Sequence, residues 1–306
     1  MREIYLGKSE LKVPTLAVGC MRISDLEKKE IAKYIDNALA LGANFFDHAD
    51  IYGGGECESL FAEAIDMKPS VREKVILQSK SGIVPGKRFD FSKEYIIESV
   101  DEILKRLKTE YLDVYLLHRP DALVEPEEVA AAFDELAAAG KVKHFGVSNQ
   151  NPMQMQLLQK CVKQPIVANQ LQFSPTNATM IQAGIEVNML TDGALSRDGH
   201  VLDFCRLSDI TVQVWSPFQY GFFEGVFLGS DKYKELNVAI DKLAEKYDVS
   251  NSAIVVAWIL RHPANMQPVI GTTNQKRFAD ICKACEVSLT RQEWYDIYMA
   301  AGHILP

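Results

Sequence analysis

The chain has 306 residues. It is 47% hydrophobic and 24% charged, proportions that exclude disorder, collagen-like order and a disulfide-stapled mini-fold. Lys+Arg 33 against Asp+Glu 41 leaves a net charge of -8 with no basic stripe, which argues against nucleic acid or an anionic membrane as partner.

Glu3-Ile-Tyr-Leu6 and Lys12-Val-Pro14 flank Gly7-Lys-Ser-Glu10 and predict an N-terminal β-hairpin. Then one pattern repeats: a short β-rich run, a polar loop and an amphipathic helix. The β-rich runs cover 15–19, 44–47, 75–80, 112–117, 144–148, 166–169, 211–215 and 268–271. Most are continuous apolar stretches, as expected of parallel strands covered on both faces. Apolar spacing predicts helices over 30–41, 94–107, 127–139, 237–247 and 252–260, with Gly140 as a left-handed stop. A last helix is expected over 291–301. The stretch 174–199 fits no barrel element and is expected to be an elaborated loop. Eight β-then-α units predict an α/β fold: a (β/α)8 TIM barrel with an N-terminal β-hairpin and an extra C-terminal helix. No GxGxxG follows the first strand, which weighs against an open doubly wound sheet. No linker or repeat interrupts the chain, so residues 1–306 are expected to form one domain.

The six cysteines are too scattered for a disulfide framework. Cys282 and Cys285 form a CxxC, but no second pair or nearby His completes a metal site, and they continue the helical pattern of Phe278 and Ile281. The first residues lack the apolar core of a secretory signal. The longest apolar stretch, Ala253 to Leu260, is far too short to span a bilayer. A cytoplasmic protein is the expectation.

In such a barrel the chemistry sits at the C-terminal ends of the strands. Asp47, Lys80, His118, Ser148-Asn149, Asn169-Gln170 and Trp215-Ser216-Pro217 all fall there, with Tyr52 five residues after Asp47. A tyrosine of ordinary pKa near 10 holds its proton tightly; a nearby ammonium stabilises the phenolate and is expected to lower that pKa. A carboxylate would keep the lysine charged, and a histidine could orient a substrate oxygen. This group suits protonation of a nascent alkoxide, hence carbonyl reduction, and hydride must then come from a nicotinamide cofactor.

With Phe46-Asp-His-Ala-Asp-Ile-Tyr-Gly53, Ser79-Lys80, Leu117-His118-Arg-Pro, Gly146-Val-Ser-Asn149, Asn169-Gln170, Trp215-Ser-Pro217 and Gly271-Thr-Thr273 followed by Arg277, the chain resembles the aldo-keto reductases along its whole length. It is most similar to a bacterial subgroup with the Asp-His-Ala-Asp-Ile-Tyr run. The resemblance implies a catalytic tetrad of Asp47, Tyr52, Lys80 and His118, with Tyr52 as general acid. It implies nicotinamide contacts from Ser148, Asn149 and Gln170, stacking on Trp215, and a segment over the pyrophosphate beginning at Ser216, Pro217 and Phe218. Thr272, Thr273 and Arg277 match the 2′-phosphate region and favour NADPH, with NADH the alternative. Family members often carry Glu-Asn where this chain has Asp280 and Ile281; Asp280 could still contact adenine, whereas Ile281 offers no amide.

Taken singly, these residues have plainer readings. Asp47 and Lys80 could be a barrel ion pair, His118 or Trp215 core residues, and Ser148-Asn149 a helix cap. His48-Ala-Asp50 lacks the HxH pair of a barrel metal-hydrolase, so no metal is expected. The functional expectation is an NADPH-dependent oxidoreductase that reduces a small-molecule aldehyde or ketone, as a monomer or small homo-oligomer. The alternative from another class is a nicotinamide-binding regulatory subunit with little turnover.

Overall fold

The computed structural model describes residues 1–306. Its centre is a closed barrel of eight parallel strands. These are β1 (Ala17–Gly19), β2 (Phe45–Asp47), β3 (Ile76–Ser81), β4 (Leu112–Leu117), β5 (Val142–Ser148), β6 (Ile166–Gln172), β7 (Thr211–Trp215) and β8 (Met266–Ile270). Each pairs with its neighbour in sequence, and β8 closes on β1 through Val269↔Ala17 and Ile270↔Val18. The fold is therefore a (β/α)8 barrel.

Helices cover the outside: α1 (Lys28–Ala40), α2 (Glu56–Ala64), α3 (Lys93–Leu107), α4 (Pro126–Ala138), α5 (Pro152–Gln159), α6 (Thr179–Ile185), α7 (Val201–Leu207), α8 (Lys234–Tyr247), α9 (Asn251–Arg261) and α10 (Gln275–Cys282). The extra C-terminal helix, α11 (Arg291–Ala300), follows. The apolar stripes expected from the sequence face inward: Ile96, Val100, Ile103, Leu104 and Leu107 of α3 are buried. Ser92 starts that helix by accepting a hydrogen bond from the Tyr95 amide. Gly140, at φ 71°, ends α4. Cys282 closes α10, Cys285 is buried beside it, and all six cysteines are free.

The region 174–199 departs from expectation, because it contains α6 and a short 3-10 turn at Asp192–Ala194. Met180, Ile181 and Ala183 bury one face of α6. Seven residues carry too little of the 3.6-residue period to stand out in sequence.

An antiparallel hairpin, Glu3–Tyr5 with Lys12–Pro14, closes the N-terminal end of the barrel. Leu6 and Val13 from the hairpin pack with Phe45, Val114, Leu116, Val167, Ala168 and Val269 in a separate apolar cluster. Above this lies a buried glutamine chain. Gln267 donates to Pro14 O at 2.7 Å, Gln213 to Gln267 Oε1 at 2.9 Å and to Gln78 Oε1 at 3.0 Å, and Gln78 to Asp47 Oδ1 at 2.6 Å. The interior thus changes from apolar at the plugged end to hydrogen-bonded polar groups toward the open end, and the chain ends on a strand-end carboxylate. Every link is satisfied, as a buried polar network must be to avoid a desolvation penalty.

Candidate active site

Asp47 is the last residue of β2 and Lys80 the fifth residue of β3, two adjacent strands in register. Both are buried, and Lys80 Nζ lies 2.7 Å from Asp47 Oδ1. The ammonium also donates to His48 O at 2.6 Å. Gln78 and Gln170 donate to the same Asp47 oxygen at 2.6 Å and 3.1 Å. Burial alone would strip the charge from Lys80; Asp47 and then Tyr52 outweigh it, so its pKa is raised and the ammonium persists.

Beyond β2 the chain turns through Gly53, Gly54 and Gly55, all at positive φ, before α2 begins. That turn puts the Tyr52 ring over the lysine, with Nζ 5.1 Å from the ring centroid. His118, just past β4, meets the ring edge-on at 6.1 Å between centroids. The four residues of the expected tetrad are therefore brought together from three strand ends.

One expectation changes. The Tyr52 phenol is not lowered: burial pushes it up to about 12, and the Lys80 charge only partly opposes this. The cause is that the whole site is withdrawn from water, a loss larger than the gain from one cation already shared with a carboxylate. His118 is held well below its ordinary pKa by burial, then by Lys80 and Arg119, so its imidazole is neutral at physiological pH. Its Nδ1 is buried with no partner in the chain.

These groups border a cavity of about 640 Å³ at the C-terminal end of the barrel, a volume typical of small-molecule sites. Asp47, Tyr52 and His118 line it, while Lys80 lies behind them. Ser148, Asn149, Gln170, Trp215, Ser216, Pro217, Phe218, Thr272 and Arg277 also line it. A hydrogen-bonded relay joins several of them. Trp215 Nε1 donates to Asn149 Oδ1 at 3.2 Å, Asn149 Nδ2 to Ser148 Oγ at 2.7 Å, and Ser148 Oγ to Gln170 O at 3.0 Å. Gln170 spends its NH₂ on Asp47 and Gln213, so only its carbonyl oxygen is left to accept from a ligand. Phe223 stacks against Trp215 at 5.9 Å and 25°.

Two expected residues stand elsewhere. Thr273 borders a separate shallow groove with Glu30 and Lys33. Asp280 pairs with Lys283 at 3.6 Å on the outside of α10. Sequence reasoning gave no role to Ile83, Arg119, Val226, Leu228, Asn251 or Ser252, which also line the cavity. Most come from short hairpins and helix starts, where no strand-end rule applies; Arg119 alone carried a signal, as the cation directly after His118. No three His, Cys, Asp or Glu side chains are grouped to hold a metal ion, and no helix is long and apolar enough to cross a membrane.

Residues 15–300 match the model of the aldo/keto reductase family. The chain is 32% identical to a 6-dehydroglucose reductase of Novosphingobium aromaticivorans, over 98% of this chain and 96% of that protein. It is 33% identical to the oxidoreductase YdhF of Escherichia coli, over 94% of both chains. The crystal structure of a thermostable aldo-keto reductase in complex with the inhibitor epalrestat superposes with a TM-score of 0.76 at 24% identity, covering 98% of this chain and 100% of that one, and so shares the fold. The chain belongs to the aldo/keto reductase family and is an oxidoreductase.

Proposed function

We propose that this enzyme reduces an aldehyde or ketone to the alcohol with NADPH, with Tyr52 as the general acid. The observation that carries the reading is the buried Asp47–Lys80 pair with the Tyr52 ring over its ammonium and His118 at the ring edge, all beside one cavity. The residues present suit the cofactor: the Gln170 carbonyl and the Ser148–Asn149 pair offer amide-binding groups beside an indole, and Thr272 with the exposed Arg277 borders the same cavity on the β8 side. A bound nicotinamide would supply the hydride.

The remaining chemistry belongs to the side chains. A Tyr52 hydroxyl with its pKa near 12 keeps its proton at neutral pH and is available as donor to an oxygen gaining negative charge. Lys80 then stabilises the phenolate as it forms, and Asp47 holds Lys80 in place and charged. The neutral His118 donates one hydrogen bond to the carbonyl oxygen and so orients it. Arg277 is the group that favours a 2′-phosphate, and hence NADPH over NADH.

The test is Tyr52→Phe, with 6-dehydroglucose, named for the Novosphingobium relative, included in the carbonyl panel. Turnover should fall by about 10²–10⁴, the range for a lost general acid, while NADPH binding by fluorescence titration persists. Turnover equal to wild type would overturn the assignment of Tyr52.

A further inference from the structure

We infer that Arg119 is a specificity-determining residue that receives an anionic group, in the simplest case a carboxylate, on the carbonyl substrate. This rests on the reductase reading above and adds the substrate's chemical class.

Only three arginines of the chain are withdrawn from full exposure: Arg72, Arg106 and Arg119. Arg72 is fully engaged, with Asp113 at 2.7 Å, Thr109 Oγ1 and the carbonyl oxygens of Val75 and Tyr111. Arg106 pairs with Glu58 at 2.7 Å. Arg119 has no carboxylate and no hydrogen-bond acceptor in the chain; its guanidinium lies against two aromatic faces, 5.7 Å from the Trp215 ring and 5.8 Å from Phe222. The nearest acid in sequence, Asp121, is committed elsewhere, accepting from the backbone amides of Phe91 and Leu123. Held by ring faces alone, this half-buried guanidinium keeps all five N–H donors free of protein acceptors and open to a ligand that supplies them.

Its place fits a substrate rather than the cofactor. Arg119 directly follows His118 at the end of β4, while Thr272 and Arg277 follow β8. In an eight-stranded closed barrel with strands in sequence order, β4 and β8 lie four strands apart, on opposite sides of the mouth. A dinucleotide running from the central residues toward Arg277 leads away from Arg119. Between the two, Trp215, Phe222 and Phe223 supply an apolar wall, so the class is a carbonyl compound with an apolar, preferably flat, body and an acidic group. A planar guanidinium resting on rings is suited to a bidentate carboxylate.

The experiment compares NADPH-dependent reduction of 4-carboxybenzaldehyde and its uncharged methyl ester by wild type, Arg119→Gln and Arg119→Lys. Wild type should prefer the acid. In Arg119→Gln the acid-over-ester ratio of kcat/KM should fall at least about tenfold, mainly through KM, as for a lost hydrogen bond to a charged group. Arg119→Lys should restore part of it. An unchanged ratio, or a wild type that favours the ester, overturns the proposal. A second arm needs no turnover: calorimetric titration of terephthalate into the NADP⁺-loaded protein should give saturable binding that Arg119→Gln abolishes. Absence of binding to wild type overturns the proposal. If neither aldehyde is reduced but terephthalate still binds through Arg119, the reductase reading fails and the anion site stands. If Arg119→Gln weakens NADPH as much as it weakens the acid, the guanidinium serves the cofactor and the proposal is overturned.

Discussion

The two ends of the barrel are built on opposite principles. At the hairpin end the chain is closed, and the groups that join the hairpin to the barrel are paired. Gly7 N donates to Thr211 Oγ1 at 2.8 Å, Asn265 Nδ2 to Tyr5 O at 2.8 Å, and the apolar cluster around Phe45 and Val167 fills the remaining space. At the mouth, groups are buried or half-buried without hydrogen-bond partners: His118 Nδ1, one Asp50 oxygen and the Arg119 guanidinium, which rests on rings alone. An unpaired polar group costs stability wherever it is withdrawn from water, so tolerance of several at one end marks where binding and chemistry take precedence over folding. The glutamine chain from Pro14 to Asp47 joins the ends, so the Asp47 carboxylate is anchored from the plugged side and faces the cavity on the other.

The largest expected effect falls on the join. Lys80→Met should cut turnover by 10³-fold or more, because it removes the cation under Tyr52, and it should also destabilise the fold, because Asp47 becomes a buried carboxylate without a counter-charge. Adding Asp47→Asn should recover most of the stability and none of the activity. If the double variant is as unstable as the single one in chemical denaturation, the ion pair is not what holds this floor.

The plugged end should respond in the opposite way. Gly7 has φ +53°, and a Cβ there would lie 2.3 Å from Val167 O, against rigid strand backbone. Gly7→Ala should therefore cost roughly 2–4 kcal/mol of stability, by strain and overpacking, while kcat per folded molecule stays at the wild-type value. A fall in kcat without loss of stability would mean that strain at the plug is transmitted to Asp47, and the division between the ends would be wrong.

This division also explains what could be read from the sequence. The strands β4 and β7 match their β-rich runs to the residue, because strands covered on both faces favour aliphatic, β-branched and aromatic residues. Asp47 and His118 stand out as polar residues ending such runs, but taken singly each also reads as structural, and only the joint order of the motifs points to a shared site. The helix α6 was not, being short and begun without a side-chain cap. Nor was the pKa of Tyr52, which depends on how completely three distant segments close over it. The rim residues from the Ile83–Val84 and Gln219–Tyr220 hairpins face the cavity through tertiary packing alone.

The smallest expected effect is a gain in stability at the mouth. Asp50 lies between Asp47 and Tyr52; its amide donates to Lys80 O at 2.9 Å, but one carboxylate oxygen is buried and unpartnered. Burial, then the nearby Glu58, pushes its pKa up from 3.8 to about 7. A carboxyl that binds its proton more tightly folded than unfolded favours folding below its unfolded pKa. That advantage is lost as pH rises through the folded one. Between about pH 4 and 7 this group should therefore lower stability as pH rises, and above pH 7 the fold carries the full cost of a charge it cannot solvate. Asp50→Asn keeps the shape and removes the charge. It should stabilise the protein by roughly 1–3 kcal/mol at pH 8, the lower side of full conversion because the side chain keeps some solvent, and by much less at pH 4. Denaturation curves at the two pH values check this. An equal effect at both would place the cost in the unpartnered oxygen rather than in its charge, making the mouth unsatisfied in hydrogen bonds but not in electrostatics.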